Sequence, residues 1–241
     1  MAVSVETVLV QLCMLDCNFL QYLWEGDRFA LRSVSSRLHD LLLPFEDTNT
    51  RLSYYAVYIG NLQLLQKAHQ NGCPLDAFIC NCAAELGRLD ILDWAHENGC
   101  SWNVWACALA AQNGHLDVIK WFYDHQCPRY SWIFNKVVST GQLHVLQWMY
   151  EHDHPWDDDT CSRAAAEGHL HVLQWLREHG CPWGTTTCVQ AAYYGHLHVL
   201  RWAYYQGCPI DKDIVYGAAV QRNQRAVTSW LDRVSAKEYS T

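Results

Sequence analysis

The sequence predicts an all-α protein, a solenoid of helix-turn-helix repeats. A block that reads EGHLHVLQWLREHGCPW at residues 167–183 returns, with changes, at steps of 27 residues in both directions. Two of its columns are Gly60, Gly87, Gly114, Gly141, Gly168 and Gly195, and Trp94, Trp121, Trp148, Trp175 and Trp202. Columns that recur at one fixed step indicate tandem repeats, which bury their apolar faces against one another.

Composition narrows the class of partner. The chain has 241 residues, half of them apolar, so it can bury a large core and is not expected to be disordered. Its formal net charge of -8 argues against nucleic acid or an anionic membrane as the main partner. Glu6 and Asp16 interrupt the apolar N-terminal run, so the sequence predicts neither a signal peptide nor a spanning helix.

Nine of the twelve cysteines fall into two repeat columns. One column holds Cys73, Cys100, Cys127, Cys181 and Cys208, and the other holds Cys80, Cys107, Cys161 and Cys188. Because His154 and Phe134 stand in these columns in one repeat, we interpret the columns as packing positions and not as bridges. We therefore expect reduced thiols and a cytoplasmic or nuclear protein.

Residues 1–48 do not fit the repeat. Within residues 15–43, apolar residues at helical spacing and an aspartate after a turn precede the run LRSVSSRLHDL at residues 31–41. This pattern resembles the later two-thirds of an F-box, without its usual Leu-Pro opening. The resemblance implies docking to the linker protein of a cullin-type ubiquitin ligase. The residues that would make this contact are Leu20, Leu23, Leu31 and Val34. The alternative is a cap that shields the first repeat from water.

Residues 49–236 are predicted to hold about seven repeats of two short helices each. Small residues at i, i+3, i+4 and i+7 form one face of the first helix, as at Cys161, Ala164, Ala165 and Gly168. The glycine is expected to end that helix in the left-handed conformation. The second helix carries a broad apolar face and ends at a Gly-Cys-Pro turn.

The last repeat departs from the pattern. Arg222 and Asn223 replace its glycine, and its final helix is more polar than the others. We expect a C-terminal cap with a wet outer face. Residues 237–241 are expected to be a frayed tail.

The run AAAEGHLHVLQWL at residues 164–176 resembles the ankyrin repeat. The matching positions are Ala164, Ala165, Gly168, His169, Leu170, Val172, Leu173, Leu176 and Gly180. Each repeat is about six residues shorter than the roughly 33-residue ankyrin repeat, which implies shortened or absent β-hairpin fingers. Short, Trp-rich repeats with Gly-Cys-Pro-Trp turns behind an F-box-like segment are similar to arrays encoded by large DNA viruses.

Histidine and cysteine are abundant, but their spacing does not predict a metal site. His144, His171 and His198 form a column whose members lie one repeat apart, too far for three ligands to reach one zinc ion. Three aspartates at residues 157–159 suggest calcium, although their place before a helix favours a role at the helix start. We expect no cofactor, no metal and no enzymatic activity. The alternative of another class is a metal-binding or thiol-based enzyme.

The tryptophan column is expected to pack in the core, because it keeps a fixed place on the apolar face of the second helix. Trp102, Trp156 and Trp183 stand in the turns instead. For these three, packing between repeats and exposed contact with a partner both stay open.

The positions opposite the alanines on the first helices mix amides, both charges and tyrosines from repeat to repeat. This is the composition of a protein-binding surface. The candidate partner-binding residues are Gln112, Asn113, Lys136, Arg163, Glu167, Gln190, Tyr193 and Tyr194. By resemblance to ankyrin arrays, the first helices would line a concave side.

The sequence therefore predicts a protein–protein interaction module, expected to be a monomer. One hypothesis is a substrate adaptor that brings the target of the array to a cullin ubiquitin ligase. The other is a non-catalytic scaffold whose N-terminal segment is only a cap.

Overall fold

The computed structural model describes residues 48–238, with side chains over residues 52–236. This part of the chain contains fourteen α-helices and no β-strand, so the predicted all-α class is confirmed. The helices are α1 (Thr48–Ile59), α2 (Leu62–Gln70), α3 (Ala77–Glu85), α4 (Leu89–Glu97), α5 (Val104–Asn113), α6 (Leu116–Asp124), α7 (Ser131–Thr140), α8 (Leu143–Glu151), α9 (Thr160–Ala166), α10 (Leu170–Glu178), α11 (Thr185–Tyr193), α12 (Leu197–Tyr205), α13 (Lys212–Gln221) and α14 (Arg225–Glu238). The residues predicted to dock the linker protein, Leu20, Leu23, Leu31 and Val34, lie outside the described residues. None of the described helices is long and apolar enough to span a bilayer.

The described helices belong to two compact units. The first holds the residues up to Ala110 together with Asp117–Cys127, and the second holds Ala111–Leu116 together with the residues from Pro128 onward. In the first unit α1 packs against α2 and α3, and α3 packs against α4. In the second unit the odd-numbered helices α7, α9, α11 and α13 stack side by side in chain order. Within these parts of each unit, successive repeats therefore pack on one another, as repeats do.

Asparagine and aspartate side chains start several of the first helices. The Asp76 carboxylate accepts hydrogen bonds from the backbone N–H groups of Phe78 (3.0 Å) and Ile79 (3.2 Å) at the start of α3. Asn103 and Asp211 hold the same position in their repeats and accept similar bonds. These caps satisfy backbone donors that the helix cannot satisfy itself. The sequence signal that would have found them is an Asn or Asp three residues after the turn cysteine.

The predicted small-residue face is buried. In α9, Cys161, Ala164 and Ala165 have no exposed surface. The aliphatic pair of the following helix, Val172 and Leu173, is also fully buried. Small side chains on the first helices allow those helices to approach closely, and the branched pair then fills the space beneath them.

The contact between successive repeats centres on the glycine that ends each first helix. Gly168 has a φ of 77°, the left-handed conformation that the sequence predicts. The His196 ring of the next repeat lies over it, and a Cβ added at Gly168 would come within 2.5 Å of His196 Nδ1. His196 Nε2–H donates to the Ala166 carbonyl (2.9 Å), and His198 Nε2–H donates to the Gly168 carbonyl (3.0 Å). We call this arrangement the glycine–histidine junction.

The same junction occurs one repeat earlier in the second unit. His169 Nε2–H donates to the Ser139 carbonyl (3.0 Å), and His171 Nε2–H donates to the Gly141 carbonyl (3.1 Å). Carbonyl groups at the C-terminal end of a helix lack partners within the helix. The histidines of one repeat therefore satisfy the helix end of the repeat before it.

Replacing Gly168 with valine should destabilise the chain more than replacing Gly180 with valine. Both glycines have a left-handed φ, 77° and 84°, so both variants carry a backbone cost of roughly 1–2 kcal/mol. A side chain at Gly168 also meets the His196 ring, whereas a Cβ at Gly180 meets nothing within 4 Å. We expect G168V to lose at least ~1 kcal/mol more free energy of unfolding than G180V, measured by urea denaturation. Equal losses would contradict a junction role for Gly168.

Candidate protein-interaction surface

The predicted partner-binding residues of the array all lie in the second unit. Lys136, Arg163 and Glu167 are exposed, and the Tyr194 side chain is 51% exposed. Asn113 is also exposed, and the half-buried members of the set are Gln112, Gln190 and Tyr193. All eight side chains are therefore accessible to a partner.

Three of these residues form a row across adjacent helices. Lys136 in α7, Arg163 in α9 and Gln190 in α11 hold the same position in successive repeats. Since α7, α9 and α11 stack side by side, neighbouring members of the row are about one helix spacing apart, roughly 8–10 Å. The row offers a positive charge, a second positive charge and an amide in that order.

Aromatic rings and a guanidinium group stand at the α11 end of this row. The ring centroids of Tyr193 and Tyr194 are 5.1 Å apart, with the rings edge to face. The guanidinium carbon of Arg222 lies 4.5 Å from the centroid of the Tyr193 ring. The sequence pattern gave no indication that Arg222 belongs to this surface. Its place in the glycine column of the last repeat indicated only a departure from the pattern.

The tryptophan column does not form the core, contrary to the prediction. Trp121 is buried, but the half-buried members are Trp94, Trp148, Trp175 and Trp202. At 100° per residue, a helical position two residues after Leu173 lies at the margin of the apolar face and not at its centre. The tryptophans therefore cover the edge of the core, where rings of neighbouring residues meet them. One such ring is Tyr150, whose centroid is 5.4 Å from that of Trp175.

The turn tryptophans, whose role the sequence left open, pack against other rings. Trp102 contacts Phe122 (5.0 Å between centroids), Trp156 contacts Tyr150 (4.9 Å), and Trp183 contacts Trp202 (5.6 Å). Each of the three is half-buried, so each also keeps some accessible surface.

A groove of about 480 Å³ opens beside Trp183 and Trp202. It is lined by Gln174, Arg177, Glu178, Trp183, Trp202 and Gln206. The Arg177 guanidinium lies 4.4 Å from the Trp183 ring centroid and donates to the Cys181 carbonyl. Sequence reasoning missed this groove because its walls come from α10, the following turn and α12, which no single motif brings together.

The histidine columns bind backbone groups. His144 Nε2–H donates to the Gly114 carbonyl (3.0 Å), as His171 and His198 do to the glycines that precede them by the same interval. Among the described residues, no group of three or more His, Cys, Asp or Glu side chains is placed to hold a metal ion. The predicted exposed column is thus also a structural contact between repeats.

Asp157 provides the hydrogen bonds at the start of α9, and the Asp159 side chain makes no capping bond. The Asp159 N–H and the Thr160 hydroxyl both donate to Asp157 Oδ1, at 3.1 and 3.0 Å. The buried Asn135 amide of α7 donates to Asp157 Oδ2 at 2.7 Å. The expected role at the helix start therefore falls to the first aspartate of the run. The same carboxylate links two neighbouring helices.

The last repeat differs from the others in burial as well as in sequence. Its second helix, α14, is polar as expected, with Arg225 and Arg233 exposed. In α13, however, Ile214 is 55% exposed, although its counterparts Thr187 and Thr160 are fully buried. The Thr160 hydroxyl donates to Asn135 of the preceding first helix (3.1 Å), and the Thr187 hydroxyl lies 3.5 Å from that of Ser162 in its own preceding first helix. An isoleucine side chain can form no such bond.

Comparison with known proteins supports the repeat class. A family model described as ankyrin repeats (many copies) matches residues 80–123, which run from α3 into α6. No curated protein matches the chain in sequence. The ankyrin part of the predicted resemblance is therefore confirmed over those residues, and ankyrin repeats indicate a protein–protein interaction module of a generally non-catalytic kind. The F-box-like and viral-type parts stay predictions.

One repeat holds a buried histidine where the others hold cysteine. The His154 side chain is 4% exposed and stacks on Phe134, with 5.9 Å between ring centroids. Burial lowers the pKa of His154 from its ordinary 6.5 to about 4, and the Arg129 charge acts in the same direction. The folded chain therefore holds this imidazole neutral.

The chain should lose stability in acid because of His154. Its pKa is lower in the folded than in the unfolded chain, so its contribution is fully present above about pH 6.5 and is lost as the pH falls to about 4. We expect a loss of ~3 kcal/mol over that interval. The double variant F134C/H154C, which installs the pair found in other repeats, should remove most of this loss in urea titrations between pH 7 and pH 4. Identical pH profiles for the variant and the natural chain would rule the histidine out.

Proposed function

We propose that the chain is a non-catalytic adaptor whose array binds a protein target through Lys136, Arg163, Gln190, Tyr193 and Tyr194. The ankyrin match supports the coarser statement, a protein–protein interaction module. The observation that supports this particular set of binding residues is the contrast in burial within the second unit. The folding columns are buried there, whereas the positions between them are accessible and chemically varied.

The charge of this face indicates the chemistry of the target. Lys136, Arg163 and Arg222 place three exposed cations on or beside it, together with the carboxylate of Glu167. These cations stand out in a chain whose net charge is -8. A target that presents carboxylates would be steered to it.

The tyrosines favour a target with apolar surface beside those carboxylates. Tyrosine and arginine are over-represented among the side chains that dominate interface energies. Tyr194 offers half of its side chain to solvent next to Tyr193, which already holds Arg222 over its ring. We therefore place the centre of the contact at these tyrosines and its rim at Lys136.

Substituting Tyr194 with alanine should weaken target binding roughly tenfold or more, because an exposed aromatic side chain is lost from the contact centre.

The charge reversal K136E/R163E should slow association with the target and reduce the dependence of the association rate on salt. Arg201, exposed on α12, gives the matched control R201E, which should bind as the natural chain does. The target is first captured from the native cell and purified, and affinities are then measured by surface plasmon resonance. If Y194A and R201E bind equally well, the proposed face is wrong.

We further propose that residues 15–43 recruit the linker protein of a cullin-type ubiquitin ligase. The support is the F-box-like pattern that includes Leu20, Leu23, Leu31 and Val34. With the array as a second binding surface, this would make the chain a substrate adaptor. The competing proposal is that the same leucines cover the first repeat and prevent its apolar end from meeting water.

Removing residues 1–48 separates the two proposals. An adaptor should lose linker binding while it keeps target binding and most of its helical circular dichroism. A cap should instead leave an array that unfolds or aggregates when it is removed. The full chain with L20A/L23A serves as a control, since it should lose linker binding without a loss of target binding. If the intact chain does not bind the linker protein at tens of micromolar, the adaptor role fails.

A further inference from the structure

The two cysteine columns meet inside each repeat. In four repeats a cysteine on the first helix is followed, twenty residues later, by a cysteine in the turn after the second helix. The pairs are Cys80 with Cys100, Cys107 with Cys127, Cys161 with Cys181, and Cys188 with Cys208. The two members of each pair belong to the same compact unit. The sequence pattern shows both columns but not that they face each other.

The first pair is in direct contact. The Sγ atoms of Cys80 and Cys100 are 3.0 Å apart, and the Cys80 thiol donates to Cys100. The Cys100 thiol itself lies 2.9 Å from the Asp76 carbonyl oxygen, which the cap at the start of α3 holds in place. Both cysteines are free thiols. The fold therefore holds two thiols at contact distance by means of a helix and a capped turn.

The other three pairs hold the same two positions in their repeats. The Cys161 thiol lies 3.8 Å from the Cys181 carbonyl oxygen, and the Cys208 thiol donates to the Gly184 carbonyl (3.4 Å), which holds the repeat position of Asp76. The neighbouring turn thiol and burial raise the pKa of the helix cysteine in each of these pairs, and the pKa of the turn cysteine is lowered. The turn thiol of each pair is thus the more easily deprotonated.

The repeat of α1 and α2 keeps Cys73 but holds Ser53 at the helix position, and the repeat of α7 and α8 lacks both cysteines. Phe134 stands on the first helix and His154 in the turn, and their rings stack on each other. In the repeat of α7 and α8 two rings occupy the positions of the two thiols and contact each other, as the thiols of Cys80 and Cys100 do.

We propose that each of the four cysteine pairs is an oxidisable dithiol, a modification site that hydrogen peroxide converts to a disulfide within its own repeat. The turn thiolate attacks one peroxide oxygen, the O–O bond breaks, and a sulfenic acid and hydroxide form. The helix thiol then attacks the sulfenic sulfur, the S–S bond forms, and water leaves as the S–O bond breaks. Two thiols lose two electrons and two protons, and one peroxide becomes two waters.

Each bridge would join the first helix of a repeat to the turn that follows its second helix. In the repeat of α3 and α4 it would close a chain loop from residue 80 to residue 100, which contains most of α3 and all of α4. Cross-links of this kind restrict the unfolded chain more than the folded one. Oxidation would therefore stabilise individual repeats without a rearrangement of the stack.

Access to solvent sets the order in which the four cysteine pairs should be oxidised. The turn cysteines Cys127, Cys208 and Cys100 are 5%, 4% and 3% exposed, whereas Cys181 is fully buried. Their helix partners are buried almost completely. Because peroxide must reach the turn sulfur, the pair that contains Cys181 should react last.

The test is a time course of the full reduced chain with hydrogen peroxide, followed by alkylation, digestion and mass spectrometry. We expect four disulfides, each joining the two members of one pair, with the Cys161–Cys181 bridge slowest. The melting temperature should rise by roughly 10 °C or more and return after treatment with dithiothreitol. Cys82, on α3 but outside both columns, should stay alkylatable.

Two variants make the test specific. F134C/H154C should gain a fifth bridge between residues 134 and 154, and C80A/C100A should lose only its own bridge. Since the natural chain is measured beside them, a variant that fails to fold does not remove the main result. The proposal is overturned if peroxide yields sulfinic and sulfonic acids without bridges, or bridges between different repeats. It is also overturned if all eight thiols survive peroxide that fully oxidises free cysteine.

Discussion

The junction between a glycine in the left-handed conformation and the histidines of the next repeat is the contact on which the second unit depends. Only a residue without a Cβ lets a side chain such as His196 lie against the helix end at Gly168. Once in place, His196 donates to the Ala166 carbonyl at the end of α9, and His198 donates to the Gly168 carbonyl just beyond it. The same glycine therefore both ends the helix and allows the next repeat to stack on it. A change at the glycine would disturb both.

This constraint separates the residues that fold the chain from those that can recognise a partner. The alanine face, the aliphatic pair and the glycine of each repeat are fixed by burial or by backbone conformation. Positions such as Lys136, Arg163 and Gln190 lie between these columns and touch solvent. They can change without cost to the stack, because nothing in the repeat geometry requires their chemistry. A row of such positions on stacked helices is the kind of surface that repeat proteins use to bind proteins.

The interior of a repeat also carries chemistry that packing alone does not explain. Cys80 and Cys100 would satisfy a packing requirement as two small apolar groups, yet their sulfur atoms are in contact and share a hydrogen bond. In the repeat of Phe134 and His154 the same space is filled by stacked rings, which hold a histidine neutral inside the fold. Paired thiols and stacked rings therefore occupy the same two positions in different repeats. One of them has redox chemistry and the other has acid–base chemistry.

The sequence by itself determined the fold class, the repeat length and the buried helix faces. These follow from local periodicity, since helical spacing fixes which side chains share a face and glycine fixes where a first helix ends. It also placed Lys136, Arg163 and Tyr194 on the accessible side, because those positions lie opposite the alanines.

Only the tertiary structure decided which columns meet. Cys80 faces Cys100, His196 lies on Gly168, and Trp183 forms a groove with Trp202. Each of these contacts joins residues of different helices or turns, so it depends on how the helices pack and not on the pattern within one helix. The tryptophan column shows the same limit. Periodicity placed Trp175 on the apolar side, but packing of the aliphatic pair beneath it left the ring at the edge of the core.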